Sequence, residues 1–281
     1  MRWAIILRTY SWPASLAPIL IGSVLSYRRG SFSWADFALT LAAGLLLHSA
    51  ANVANTYFDH KNGVDQKGAD DVGIVANLIS PEKALRLALF LFTLSALAGL
   101  YLAVRKELFS LLPVSAAGFA LAWFYTAAPA YKYRALGELG IFLCFGPLLV
   151  AGTVLIQTGK ILPEAALASI PTGLLIVGIL FANNLRDLKT DSEKGLKTLP
   201  GLLGEKRALV FYFFLVLFPY PAALYSLGFS PAFLITAVSL PMAVNLLSLA
   251  KKGKFHVLVR ENAKFVGIFG LLFSVSLFFG K

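Results

Sequence analysis

Residues 34–65 read WADFALTLAAGLLLHSAANVANTYFDHKNGVD, and this stretch decides the fold. The run from 34 to 58 has the length and apolarity of a membrane-crossing helix, which needs about 20 mostly apolar residues. Yet His48, Asn52, Asn55 and Asp59 recur at spacings of four, three and four, so a helix places all of them on one face. A polar stripe in hydrocarbon is costly. It must turn toward a bundle interior or a wet cavity, where ionisable groups are functional candidates by default.

Outward from this stretch, the whole chain has the same character. Its 281 residues are 58% hydrophobic and 14% charged, with a mean hydropathy of +0.76, whereas soluble domains carry about 25% charged residues. Membrane-length apolar runs lie near 10–27, 34–58, 82–103, 108–125, 136–158, 164–185, 206–225, 232–249 and 263–279. The expectation is an all-α polytopic membrane protein with nine transmembrane helices around a central cavity. It forms a single domain over 1–281, with no soluble domain left over. Prolines at 113, 147, 171, 219, 221 and 241 are expected to kink their helices. The basic opening is interrupted by Arg8 and two prolines, which argues for a retained first span rather than a signal peptide. The lone Cys144 excludes an intrachain disulfide.

Charge sets an expected orientation. With nine spans, Arg28, Arg29, Arg105, Lys106, Lys160 and Lys281 fall on one face, and the other 19 of the 25 Lys and Arg fall on the opposite face with the N-terminus. The positive-inside rule places that richer face in the cytoplasm of a multi-pass cell-membrane protein. The net charge of +11 then reflects topology and attraction to anionic lipid; the bilayer is a partner, and nucleic acid is not.

Acids are scarce, so their placement informs. Of 14, seven fall in two stretches, Asp59, Asp65, Asp70 and Asp71, then Asp187, Asp191 and Glu193. The sixth span ends ANNLRDLKTDSEKGLKTLP, where Asn183 and Asp187 repeat the spacing of Asn55 and Asp59. Two such pairs at corresponding ends of same-direction helices suggest two related halves. Carboxylates and amide carbonyls are hard oxygen ligands suited to Mg²⁺, which binds through a few carboxylates plus substrate phosphate oxygens. Arg186, Lys189, Lys194 and Lys197 nearby suit the rest of a diphosphate. Between the fourth and fifth spans, WFYTAAPAYKYRALGELG brings Tyr125, Lys132 and Arg134 to the same face. Read alone, that segment is an aromatic belt with snorkelling cations.

At these residues the sequence resembles the UbiA superfamily of intramembrane prenyltransferases, in particular the 1,4-dihydroxy-2-naphthoate polyprenyltransferase (MenA-like) branch with its animal relatives. LRTYSWPASLAPILIGSVLSY is similar to the family's opening segment, NTYFDHKNGVD to its first Asp-rich motif, YKYRALGELGIFLCFGPLLV to its central segment, and NNLRDLKTDSEKGLKTL to its second motif. The resemblance implies nine helices around a cavity in which the motifs hold Mg²⁺ and a polyprenyl diphosphate. By motif match, metal and diphosphate roles come to Asn55, Asp59, Asp65, Asn183, Asp187 and Asp191. Lys132 and Arg186 answer to the family's basic residues, with Arg134, Lys189 and Lys197 as further diphosphate contacts. Asp59, Asp187 and Lys132 are the expected catalytic set, and Arg8, His48, Asn52 and Tyr125 are expected to line the cavity or meet the acceptor. Three departures stand out: Thr56 where many members have Asp, a six-residue step from Asp59 to Asp65 where many have four, and no Arg before LISP.

The implied reaction breaks an allylic C–O bond and joins the prenyl group to an electron-rich aromatic ring. Mg²⁺, Lys132 and Arg186 would neutralise the departing diphosphate, while the apolar bundle excludes water from the carbocation. Tyr57, Phe58 and Tyr125 are candidates for cation–π stabilisation. His48 reads more readily as a hydrogen-bonded packing residue than as a base. Rival acceptors are a glycerol-phosphate ether lipid, 4-hydroxybenzoate, homogentisate and a porphyrin. An ion-coupled transporter also uses buried acids and repeats, but acids gathered at one face disfavour alternating access.

Overall fold

The computed structural model describes residues 2–64 and 72–280. Asp65, Asp70 and Asp71 lie outside the described residues. The architecture is a helical bundle of α1 (Pro13–Arg28), α2 (Trp34–Lys61), α3 (Pro81–Arg105), α4 (Leu111–Phe124), α5 (Gly137–Thr158), α6 (Pro163–Arg186), α7 (Glu205–Ser226), α8 (Phe233–Lys251) and α9 (Phe255–Phe279). Among the described residues there is no strand, only an isolated bridge between Arg134 and Lys197. Short helical turns fill the connections, including Thr9–Ser11 before α1 and Leu188–Glu193 after α6.

Seven helices, α2, α3 and α5 to α9, are long and apolar enough to cross a membrane. The expected spans 10–27 and 108–125 stand as shorter helices of 16 and 14 residues. Each is shortened at its start by local backbone. Arg8 takes a left-handed conformation (φ 52°) and residues 9–11 a 3₁₀ turn, so the first long helix opens only at Pro13, whose missing N–H costs nothing at a helix start. Glu107, also left-handed, ends the turn after α3 and delays α4 to Leu111. By contrast α9 begins at Phe255, about two turns before the expected 263, and carries His256 to the bundle's end.

The prolines act unequally. Pro147 lies in a five-residue π segment within α5, while Pro219 and Pro241 each open the second part of an interrupted helix. Pro171, expected to kink α6, sits inside a continuous helix. A proline has no N–H for the carbonyl four residues back, and here that carbonyl, Leu167 O, accepts from the Ser226 hydroxyl of α7 at 3.0 Å.

The largest core joins α1, α5, α6, α7, α8 and α9 through side chains such as Ile21, Leu175, Phe181, Tyr212, Phe265, Phe269 and Phe273. A second core packs α2 on α3 through Val53, Ala88 and Phe92 with Trp123. Small residues allow the tightest contact: at Gly270 of α9 a Cβ would collide with Ala17 of α1.

Polar contacts mark the two ends. At one, Lys106 reaches the buried Asp36 at 2.8 Å, with Arg105 on the same carboxylate, Arg29 Nε meets Glu164 at 2.9 Å, and the Ser33 N–H donates to Gln157 at 2.8 Å. These residues close α1, α3 and α5 and open α2 and α6. The opposite end therefore collects the C-terminal ends of α2, α4 and α6, which carry both acidic motifs.

Candidate active site

A cavity of about 600 Å³ is bounded by α1 to α6. Asn55, Asp59, Asn183, Asp187 and Asp191 all line it, as do Lys132, Arg186 and Lys194. So do Arg8, His48, Asn52 and Tyr125. Arg134, Lys189 and Lys197 are exposed and do not line it. Arg134 and Lys197 instead bridge backbone to backbone, with the Ala135 N–H donating to Lys197 O at 2.8 Å. That pairing ties the second-motif loop to the loop before α5.

The first motif is enclosed. Asp59 accepts from the Lys132 ammonium at 2.6 Å and from the Tyr133 hydroxyl. Asn55 Oδ1 accepts from the same ammonium at 2.6 Å and from the Thr126 hydroxyl at 2.8 Å. The ammonium also stands 4.6 Å from the Tyr133 ring centroid and 5.5 Å from that of Tyr125, a cation–π cage. The turn that delivers it is held under strain: Ala130 and Ala135 (φ 51° and 57°) bracket residues 131–134 in the left-handed region, which costs an alanine about 1–2 kcal/mol. Tyr131 pins this turn by donating to Leu121 O at 2.8 Å while its ring lies on Gly140, where a Cβ has no room.

The second motif is open. Arg186 grips its neighbour Asp187 with Nε at 2.8 Å and Nη2 at 2.6 Å. Asn183 and Asp191 accept no side-chain hydrogen bond among the described residues. Burial, and then the Asp187 carboxylate, push the Asp191 carboxyl up to about 6; Lys132 and Lys194 oppose the shift and Asp59 adds to it. Asp191 thus feels groups of both motifs. Lys194 spans the mouth, donating to Gly63 O at 3.0 Å and to Val64 O. Thr198 lines the same mouth, its buried hydroxyl without a hydrogen-bond partner among the described residues.

The oxygen donors fit Mg²⁺. Among the described residues no three His, Cys, Asp or Glu side chains converge tightly enough to hold an ion by themselves. Mg²⁺ does not need such a cage, because it binds through one or two carboxylates plus phosphate oxygens and water. The Lys132 ammonium already shows that Asn55 and Asp59 direct oxygens at one cation.

Deeper in the cavity, His48 stands in a hydrogen-bond network. The Ser11 hydroxyl donates to Arg8 O at 2.8 Å, so it accepts at 3.1 Å from His48 Nε2, which carries the proton. His48 Nδ1 accepts from Ser15 at 2.8 Å. Both ring nitrogens are occupied in holding residues 8–15 against α2. Asn52 adds contacts to Leu7 O and Ser11, each at 3.3 Å. Thr56, directly after the first-motif Asn55, lies off the cavity: it accepts from Arg8 at 2.8 Å and donates to Asn52 O at 3.1 Å.

Sequence reasoning passed over Tyr133, Thr126, Thr198, Asn184 and His256, all but Thr126 on the cavity wall. Tyr133 adjoins Lys132 in a turn with aromatics on both sides, a legible signal. Thr198 and His256 reach the mouth only through tertiary packing.

The family model described as the UbiA prenyltransferase family matches residues 15–272. A "UbiA prenyltransferase domain-containing protein 1" from Xenopus tropicalis is 31% identical over 96% of this chain and 80% of its own. Its homolog from Drosophila melanogaster is 34% identical over 96% and 77%. A solved UbiA homolog from Archaeoglobus fulgidus, bound to GPP and Mg²⁺, shares the fold with a TM-score of 0.68 at 16% identity, covering 99% of this chain and 98% of that one. A polytopic bundle with two acidic motifs on one cavity, matched by this family along nearly its whole length, belongs to the UbiA prenyltransferase family and is a membrane prenyltransferase.

Proposed function

We propose that the chain transfers the prenyl group of a polyprenyl diphosphate to a hydroxylated aromatic ring, with 1,4-dihydroxy-2-naphthoate as the acceptor its motifs most resemble. The observation that carries this reading is the shape and charge of one cavity. Its mouth gathers five described motif residues and three cations, and its lining continues down α2 to Thr40 and down α3 to Leu102. From Asp59 to Thr40 is about 28 Å along a helix, close to the roughly 30 Å of bilayer hydrocarbon. That depth suits a long isoprenoid chain, and the walls toward α3 and α4 are apolar or small, among them Gly99, Val114, Gly118 and Phe119.

In this reading Asn55, Asp59, Asn183, Asp187 and Asp191 hold Mg²⁺, as does Asp65 by motif. The ion supplies charge neutralisation of the leaving diphosphate. Lys132, Arg186 and Lys194 bind the diphosphate's remaining oxygens, and the unpartnered Thr198 hydroxyl offers a further donor. Solvated by this mouth, the diphosphate leaves with the C–O electron pair. The ring carbon then bonds to the prenyl carbon, and the ring loses a proton or, for a naphthoate, its carboxylate. The Lys132–Tyr125–Tyr133 cage keeps a cation fixed at the mouth, and the apolar walls exclude water. The richer basic face, and the mouth with it, is assigned to the cytoplasm by the positive-inside rule.

The test supplies purified chain with geranylgeranyl diphosphate, Mg²⁺ and a panel of 1,4-dihydroxy-2-naphthoate, 4-hydroxybenzoate, homogentisate and a glycerol-phosphate ether lipid. Prenylated naphthoate as the dominant product is expected. Exclusive prenylation of the glycerol phosphate would overturn the aromatic-acceptor reading.

A further inference from the structure

Asn184 has no role in the motif chemistry, yet it lines the cavity, and its surroundings fix how it faces. Its Nδ2 donates at 2.9 Å to Oε1 of Glu138, a carboxylate 5% exposed in the first turn of α5. The amide nitrogen is the donor of this bond and the carboxyl oxygen its acceptor. The amide must therefore give Glu138 its NH₂ end, which leaves Oδ1 as the end offered elsewhere. Among the described residues Oδ1 has no hydrogen-bond partner, and it is not sealed in the core, since Asn184 is half-buried on the cavity wall.

Position adds meaning to this orientation. On α6 the cavity-lining residues are Ile176, Ile179, Leu180, Asn183, Asn184 and Arg186, with Asp187 at the C-cap, one continuous helical face. Asn184 lies three residues inboard of Asp187, about 4.5 Å along the axis. In prenyl transfer the reacting carbon is the one attached to the diphosphate, so the acceptor ring must lie beside the diphosphate site; Asn184 stands at the level of the Asn183–Asp187 pair, about 100° round the helix from Asn183 and facing Glu138 of α5. The mouth offers mainly cations and acids; Asn184 Oδ1 is a neutral acceptor placed where a ring hydroxyl arrives.

We infer that Asn184 accepts a hydrogen bond from a hydroxyl of the acceptor ring and that Glu138 is the positioning residue that locks the amide in the accepting orientation. This rests on the aromatic-acceptor reading above. The contact moves no proton. It orients the ring so that the carbon beside the hydroxyl faces the prenyl group, and it raises electron density on the oxygen and so on that carbon. Glu138, sunk between α5 and α6, has no other described side-chain partner.

The experiment is a swap that conserves the bond and the net charge. Glu138→Gln frees the amide to turn either way, and Asn184→Asp sets two carboxylates against each other. In the Glu138→Gln/Asn184→Asp double variant the glutamine NH₂ donates to the aspartate, whose second oxygen again faces the cavity. Steady-state turnover is measured with 1,4-dihydroxy-2-naphthoate and with 4-hydroxybenzoate, each against geranylgeranyl diphosphate. Each single variant should lose about tenfold in kcat/KM for the ring substrate, with KM for the diphosphate within about twofold of wild type. The double variant should recover most of the loss. Singles that raise the diphosphate KM instead, or a double no better than its parents, would overturn the inference while leaving wild-type aromatic prenylation intact. A wild type that prenylates neither ring would overturn the aromatic reading and this inference with it. Should the singles fold poorly, the folded double variant decides by its pH profile: the group facing the ring is now a carboxylate, so kcat/KM for the ring substrate should fall as acid protonates it, whereas a purely structural pair leaves the wild-type profile and overturns the inference.

Discussion

The two acidic motifs look interchangeable as text, yet the molecule treats them differently. Asp59 has a side chain 5% exposed, held by an ammonium and a phenol, and its companion Asn55 accepts two hydrogen bonds at Oδ1. Among the described residues, Asp187, with a side chain 38% exposed, is held only by the adjacent Arg186, and Asn183 and Asp191 have no side-chain donors. Equal spacing gives equal helical faces, but the partners come from other elements. The first motif receives the strained turn before α5; among the described residues, the acids of the second receive side-chain donors only from their own segment. One half of the site is built in advance of substrate, and the other waits for cations and phosphate to complete it.

Alanine at each aspartate gives the largest effect and the sharpest separation. Both Asp59→Ala and Asp187→Ala should lower turnover by about 10³-fold or more, as expected when charge stabilisation of a transition state is removed. Stability should diverge. Asp59→Ala leaves the part-buried Lys132 ammonium with Asn55 Oδ1 as its remaining side-chain acceptor, which costs about 1.5–3 kcal/mol, whereas Asp187→Ala breaks a half-exposed pair worth about 1 kcal/mol or less. Thermal unfolding in detergent, measured beside turnover, checks both. Adding Lys132→Met to Asp59→Ala should restore stability and leave the chain inactive. Equal destabilisation by the two alanines would erase the distinction drawn between the motifs.

A smaller effect separates the motifs by ligand. Metal-stripped chain given Mg²⁺ and pyrophosphate should gain thermal stability, about 2.7 kcal/mol when the ligands stand at 100 times their Kd. Asp187→Ala should abolish that gain even though it costs the apo-protein little. Excess chelator should stop turnover without unfolding the chain, since the Lys132 contacts already satisfy the first motif. Full turnover in chelator would remove Mg²⁺ from the site.

Much of this was legible in residues 34–65 and 164–200. The 3.6-residue stripe from His48 to Asp59 placed four polar groups on one face, and the matching Asn183–Asp187 pair placed the second motif at the same end. Apolar run lengths located the helices because hydrocarbon enforces them. Boundaries set by backbone rather than hydropathy escaped: the left-handed Arg8 and Glu107 shorten α1 and α4, and the Ser226 hydroxyl that satisfies Leu167 O lets α6 run through Pro171. Cation assignments by proximity in sequence were only partly sound. Lys132 and Arg186 reach the cavity, but Lys189, Lys197 and Arg134 point to solvent, because a loop of cations distributes its side chains around itself and only tertiary contacts choose which face inward.

The finest test concerns what makes the first motif rigid. Among the described contacts of Tyr133, two bear on the first motif: its hydroxyl donates to Asp59, and its ring lies 4.6 Å from the Lys132 ammonium. Tyr133→Phe removes the first and keeps the second. A hydrogen bond to a charged group contributes about 1.5–3 kcal/mol, and with Lys132 still paired to Asp59 the loss should sit at the lower end of that range. Turnover should fall by about tenfold, because Asp59 keeps its charge but gains freedom to rotate away from Asn55. Tyr133→Leu removes both contacts and should cost more on each measure, by the cation–π increment of about 0.5–2 kcal/mol. If Phe and Leu behave alike, the ring contributes nothing and the hydroxyl alone fixes Asp59. If Phe matches wild type, the lysine suffices, and the enclosure of the first motif belongs to Lys132 and the turn that carries it.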